Sequence, residues 1–123
     1  MNPGKLITFV ATRKPSEARE FYERTLGLKL ISDDLFAIVF DADGSMLRVQ
    51  KVQELSPARH TAVGWAVESI DAAGSRLSKT GVKFERFPGL EQDGLGIWQS
   101  PSGARVAWFR DPDENILSLT QFA

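Results

Sequence analysis

Apolar residues recur along this chain at two spacings, strand-like and helix-like, and the two alternate in a repeating order. The segment "KLITFVAT" (5–12) is dense in β-branched and aromatic residues and predicts a strand. In "SEAREFYERTLG" (16–27), Ala18, Phe21, Tyr22 and Leu26 recur at helical spacing. Pro15 stands near the first helical position, and Gly27 at the end serves as a C-terminal cap. Three short strands follow, "LKLIS", "LFAIVFD" and "SMLRVQKV", separated by the turn formers "DD" and "DADG".

The order then restarts. "TAVGWAVE" (61–68) predicts a strand, and "SIDAAGSRLSKTG" (69–81) a helix with Ser69 as N-cap, Asp71 in its first turn and Gly81 past its end. "VKFERF", "RVAWFR" and "NILSLTQF" read as three further strands. The repeat holds residue by residue, because "DADGSMLRVQ" lines up with "DPDENILSLT". Asp41 matches Asp111, Asp43 matches Asp113, Leu47 matches Leu117, and Arg48 matches Ser118. Two half-sheets that cannot bury their faces alone are implied. The expected division is a first module over 1–52, a linker over 53–59 containing Pro57, and a second module over 60–123.

Composition narrows the partners. The 123 residues are 42% hydrophobic and 25% charged with a formal net charge of -1, which is ordinary for a globular domain. No basic stripe is present to collect phosphates, so nucleic acid is excluded as the expected partner. The absence of cysteine removes disulfides, thiolate metal sites and cysteine nucleophiles. No signal-peptide pattern or membrane-length apolar run is present, and a soluble, cytoplasmic protein is expected.

In "EFYERTLGLKL", "GWAVESIDAA" and "FRDPDENILSL", in that order and separation, the chain resembles the vicinal oxygen chelate superfamily of glyoxalases, bleomycin-resistance proteins and extradiol dioxygenases. The resemblance implies an α+β fold: two paired βαβββ modules whose curved sheets enclose a cavity. It also implies a homodimer. Metal-dependent members place histidines on the first strand of each module and a glutamate on the last. Carried onto this chain, those positions fall at Ile7 or Thr8, Arg48, Ala62 and Ser118. None suits a divalent cation, so no metal and no cofactor are expected. The acidic pairs Asp41/Asp43 and Asp111/Asp113 are read as turn residues bonding their own backbone, because "DADGS" lacks the later ligands of a calcium loop.

Strand alternation supplies a candidate lining instead. Arg48 shares its face with Met46 and Gln50, and Ser118 shares its face with Ile116 and Thr120. Arg48 fits a carboxylate or phosphate of a ligand, or pairs with a nearby acid of the protein. Of Phe9, Phe36, Phe40, Trp65, Trp98 and Trp108, most are expected in the core. Phe9 and Phe36 are also counted with the candidate ligand-binding residues. Trp98, in the polar "EQDGLGIWQSPSG", either covers a pocket or packs as an edge strand on the other module. The only histidine, His60, reads as an exposed linker residue, but alternation can bring it to the same face as Ala62, and it is counted with the candidate ligand-binding residues. No nucleophile constellation is present, and no carboxylate is singled out as an acid or base. The expected function is metal-independent binding of a small organic compound, aromatic or anionic, as in antibiotic-sequestering members of the superfamily. Two readings stay open beside it: a lyase, isomerase or dioxygenase with an atypical or absent metal, and a dimeric interaction module with a filled cavity.

Overall fold

A computed structural model describes residues 2–123. The chain divides into two compact units, the first running to Ser56 and the second beginning at Pro57. Each is a four-stranded mixed sheet with one helical segment, an α+β architecture.

The first unit contains β1 (Ile7–Thr12), α1 (Pro15–Glu20), β2 (Lys29–Asp33), β3 (Ala37–Ala42) and β4 (Ser45–Lys51). Its strands lie in the order β1-β4-β3-β2, with β1 parallel to β4 and the other pairs antiparallel. Pro15 opens α1, and the helix continues into a π turn over Phe21–Thr25, where the Leu26 N–H donates to the Phe21 carbonyl at 2.9 Å. That extra residue per turn accompanies the burial of Tyr22 against Phe40, with ring centroids 5.9 Å apart. Gly27 then ends the helix in the left-handed conformation its missing Cβ permits. Asp43 and Gly44 both take positive φ between Ala42 and Ser45, the two-residue turn whose twist matches a hairpin. The Asp41 carboxylate accepts the Gly44 N–H at 2.9 Å, which is the turn role expected for this residue. Alternation gives the sheet two faces. Val10, Ile38, Phe40, Leu47 and Val49 are buried on the face that meets Tyr22.

The second unit contains β5 (Thr61–Ala66), α2 (Ile70–Lys79), β6 (Trp98–Gln99), β7 (Arg105–Arg110) and β8 (Ile116–Gln121), with sheet order β5-β8-β7-β6 and β5 parallel to β8. Ser69 caps α2 by accepting the Ala72 N–H at 3.1 Å, and the Gln121 side chain accepts the Ile70 N–H at 2.9 Å. Ile70, Ala73 and Leu77 form the buried stripe. Gly74 lies on the same side, where an added Cβ would meet the Phe84 ring at 3.8 Å, ordinary contact distance. Gly74→Ala is therefore expected to stabilise the protein by about 0.5–1 kcal/mol through helix propensity. A urea titration measures this, and a lower midpoint would show that the helix cannot accept the methyl group.

The expected strand "VKFERF" is not one. Residues 82–87 form no strand, and the place is taken by the two-residue β6. The segment keeps one backbone bond to β7, from the Glu85 N–H to the Trp108 carbonyl at 2.8 Å. The Gln92 side chain takes over the rest: its Oε1 accepts from the Phe87 N–H, and its Nε2 donates to the carbonyls of Glu85 and Gly96. Side-chain bonding has replaced the ladder that the alternation predicted. Among the described residues no helix is long and apolar enough to cross a membrane.

Candidate functional site

In the first unit, the face away from Tyr22 is set by the β1–β4–β3 register. Phe9 stands beside Arg48, Ile7 beside Met46, and Ala11 beside Gln50. Across β3, Val39 pairs with Arg48 and Ala37 with Gln50. Three of the candidate residues, Phe9, Arg48 and Gln50, are thus brought onto one face. Phe9 is 55% exposed, so the expectation of a core role fails there: its row points away from the helix, unlike that of Val10. Arg48 makes no hydrogen bond or ion pair among the described residues. Its charge acts on Asp34, whose carboxyl is held below the usual range first by the N–H groups of Phe36 and Ala37, with Arg48 and Lys51 adding. The neighbouring cations do pair. Lys51 and Arg19 both reach Asp33, at 2.7 and 3.1 Å, and they lower its pKa, Lys51 foremost.

Phe36 does not join this face. It precedes β3, its carbonyl accepts the Lys51 N–H at 2.8 Å, and alternation places it in the row of Ile38 and Phe40. It is also highly exposed rather than core, standing at the turn before β3 beyond the residues that bury Ile38 and Phe40.

In the second unit, Gly64 pairs with Ser118 and Ala66 with Thr120 across β5–β8. Ser118 faces Trp108, and Thr120 faces Val106, which in turn faces Trp98. Trp98, Ser118 and Thr120 therefore share a face. Ser118 is 6% exposed, and its Oγ fills the space beside Gly64, 2.7 Å from where a Cβ there would lie. Trp98 sits at the sheet edge and packs on Trp108 of its own unit, with centroids 6.0 Å apart and planes inclined at 34°. Trp108 also meets Phe87 edge to face at 5.5 Å, and its Nε1 donates to the Thr61 hydroxyl at 3.1 Å. Trp108 stands among the aromatics expected mostly in the core, and Phe87 is not among the candidates the sequence offers. The alternation of "RVAWFR", which sets Trp108 opposite in sense to the buried Ala107 and Phe109, was the available signal. His60 is exposed in the bend before β5 and lies outside the ladder.

Two arginines of the second unit are paired with acids. Arg105 forks onto Asp71 at 2.8 and 3.1 Å, which lowers the Asp71 pKa and raises its own. Arg110 donates to Glu85 at 2.9 Å.

The positions corresponding to metal ligands do not fit a divalent cation. Ile7 offers a hydrocarbon, Thr8 faces the helix side, Arg48 carries a repelling charge, and Ala62 sits at the register shift of β5. Ser118 offers one neutral hydroxyl. Among the described residues no group of three or more His, Cys, Asp or Glu could hold a metal ion. Such a site needs imidazole or carboxylate donors converging on one point.

Two four-stranded βαβββ sheets of this topology define the glyoxalase type of fold. The profile of the Glyoxalase/Bleomycin resistance protein/Dioxygenase superfamily matches residues 6–119, and the chain belongs to that superfamily. Solved structures of similar fold include lactoylglutathione lyase from Agrobacterium tumefaciens, at 16% identity and TM-score 0.76, covering 98% of this chain and 95% of that one. A glyoxalase/bleomycin resistance protein/dioxygenase from Alicyclobacillus acidocaldarius matches at 20% identity and TM-score 0.70, covering 98% and 92%. One from Nocardioides matches at 22% identity and TM-score 0.70, covering 99% and 86%. No curated protein sequence matches the chain significantly.

Proposed function

We propose that this chain binds a small anionic organic compound without a metal, in the manner of the ligand-sequestering members of its superfamily. The observation that carries the reading is Arg48. A guanidinium on a sheet face, beside Phe9, Val39 and Gln50, makes no ion pair among the described residues. A planar fork of donors next to an aromatic ring suits a carboxylate or phosphate attached to an apolar body. On the second unit, Trp98 and Trp108 with the hydroxyls of Ser118 and Thr120 offer a stacking surface edged by hydrogen-bonding groups. The superfamily resemblance adds the proposal of a homodimer, which sedimentation equilibrium tests by mass.

The binding reading is tested by thermal shift in chelator-treated protein, screening aromatic carboxylates and phosphates alongside hydrophobic antibiotics. A ligand at 100 times its Kd stabilises the fold by about 2.7 kcal/mol, well within detection. Arg48→Gln is expected to weaken an anionic ligand by roughly tenfold or more, the value of a charge-assisted hydrogen bond, while leaving the unliganded melting temperature unchanged. Stoichiometric tight binding of zinc, iron, nickel or manganese, with activity dependent on it, would overturn the proposal.

A further inference from the structure

We infer that the anion taken at Arg48 carries a flexible aliphatic chain, and that a groove at one end of the first sheet receives that chain. The inference rests on the binding role proposed for Arg48 and names the ligand class. The groove encloses about 430 Å³ and lies wholly within the first unit, with Leu6, Ile7, Ile31, Val39 and Met46 among its lining. That volume is within the range of small-molecule sites.

Three features point to an aliphatic occupant. First, the side chains are open to solvent in a way a sheet face of this size does not require: Leu6 is 84% exposed and Ile31 54%, and Ile7 and Met46 are exposed as well. Second, Ile31 is left on this face without a direct β3 partner. Leu30 pairs with Phe40, so alternation turns Ile31 to the side of Val39, and the register then shifts so that Ser32, not Ile31, pairs with Val39. Third, the open lining is aliphatic and thioether. Phe40 contributes to the wall, but its ring is fully buried against Tyr22, so the groove's own lining has no exposed ring; the exposed Phe9 stands beside Arg48 instead.

Charge sets the polarity of the occupant. Val39 lines the groove and is paired directly with Arg48, and Met46 precedes Arg48 by two residues on the same face, about 7 Å along the strand. Lys5 stands at the rim. The one acid there, Asp41, is engaged by the Gly44 N–H. A cationic end leading into an aliphatic trough matches an amphipathic monoanion: head group on Arg48, chain over Val39, Met46 and Ile7.

The experiment is calorimetry with straight-chain monocarboxylates of four to ten carbons, kept below their aggregation limits, with octanol as the uncharged control and 1-naphthoate as the rigid aromatic acid. Affinity is expected to rise about fourfold per added methylene until the groove is filled and then to level off. Octanol is expected to bind at least tenfold more weakly than octanoate. Met46→Glu, a change at an exposed position, is expected to weaken octanoate at least tenfold, whereas Met46→Leu retains it. If naphthoate binds in an Arg48-dependent way but lengthening the alkanoate brings no gain, the aliphatic groove is wrong and the anion site stands. If octanol matches octanoate, the charge pairing is wrong. If no acid of either kind binds, the function proposed above fails along with this inference.

Discussion

Phe109→Ala is expected to destabilise the protein by about 3–5 kcal/mol and to lower the melting temperature by roughly 10–20 °C. Phe109 has no exposed surface and stands on β7 directly opposite Leu117, on the face that also carries Ala107 and Leu119. Its ring meets that of Phe84 edge to face at 5.7 Å, and Phe84 in turn lies against Gly74 of α2. Removing the ring opens a space bounded by a helix, a sheet and an aromatic side chain, none of which can collapse into it without breaking its own contacts. The cost therefore includes a cavity as well as lost transfer free energy. Phe109→Leu, which keeps most of the volume, is expected to cost much less, on the order of 1–2 kcal/mol. Denaturant unfolding of both variants checks the pair. A loss below about 1 kcal/mol for the alanine variant would show that this ring is not the centre of the second unit's core.

Asp111→Ala is expected to cost about 2–4 kcal/mol, although it lies in a turn. The carboxylate is buried. Its Oδ1 accepts the N–H groups of Asp113 and Asn115, both at 2.9 Å, and its Oδ2 accepts the Asn115 side-chain amide at 2.8 Å. Alanine leaves those buried donors without this acceptor, and it also releases a turn in which Glu114 is held at φ 71°, a conformation unfavourable for a residue with a Cβ. The repeat provides its own control. Asp41, the matching residue of the first unit, is shown accepting the Gly44 N–H from a more exposed position, and Asp41→Ala is expected to cost no more than about 1 kcal/mol. Equal losses at the two sites would mean that burial is not what separates them.

The difference between these two aspartates also marks the limit of sequence reading. Both were legible as turn residues, because an Asp or Asn bonding its own backbone is a local event. Which of them is buried depends on what the rest of the chain lays over the turn. The same division runs through the candidate site. That Met46, Arg48 and Gln50 share one face, and Ser118 and Thr120 another, follows from the two-residue period of a strand. Phe36 lies just before β3, bonded through its carbonyl to Lys51, and its ring is left exposed at the turn. Trp108 is grouped with the core aromatics because a tryptophan in an apolar strand reads as core until its neighbours on the sheet, Ser118 and Trp98, are known. "VKFERF" reads as a strand from its apolar residues, but Gln92, several residues later, takes the hydrogen bonds a ladder would have used.

By itself, the amino-acid order determined the two-module repeat, the helices and their caps, the turns, and which side chains stand on the same side of each strand. All of these are settled by backbone geometry within a few residues. Only the folded chain decided that Arg48 makes no ion pair among the described residues while Lys51 and Arg19 find Asp33, that Ile31 and Met46 line one groove, and that two tryptophans meet at the second sheet's edge. Those outcomes depend on strand register, which joins residues distant in sequence and is set by the packing of the whole sheet.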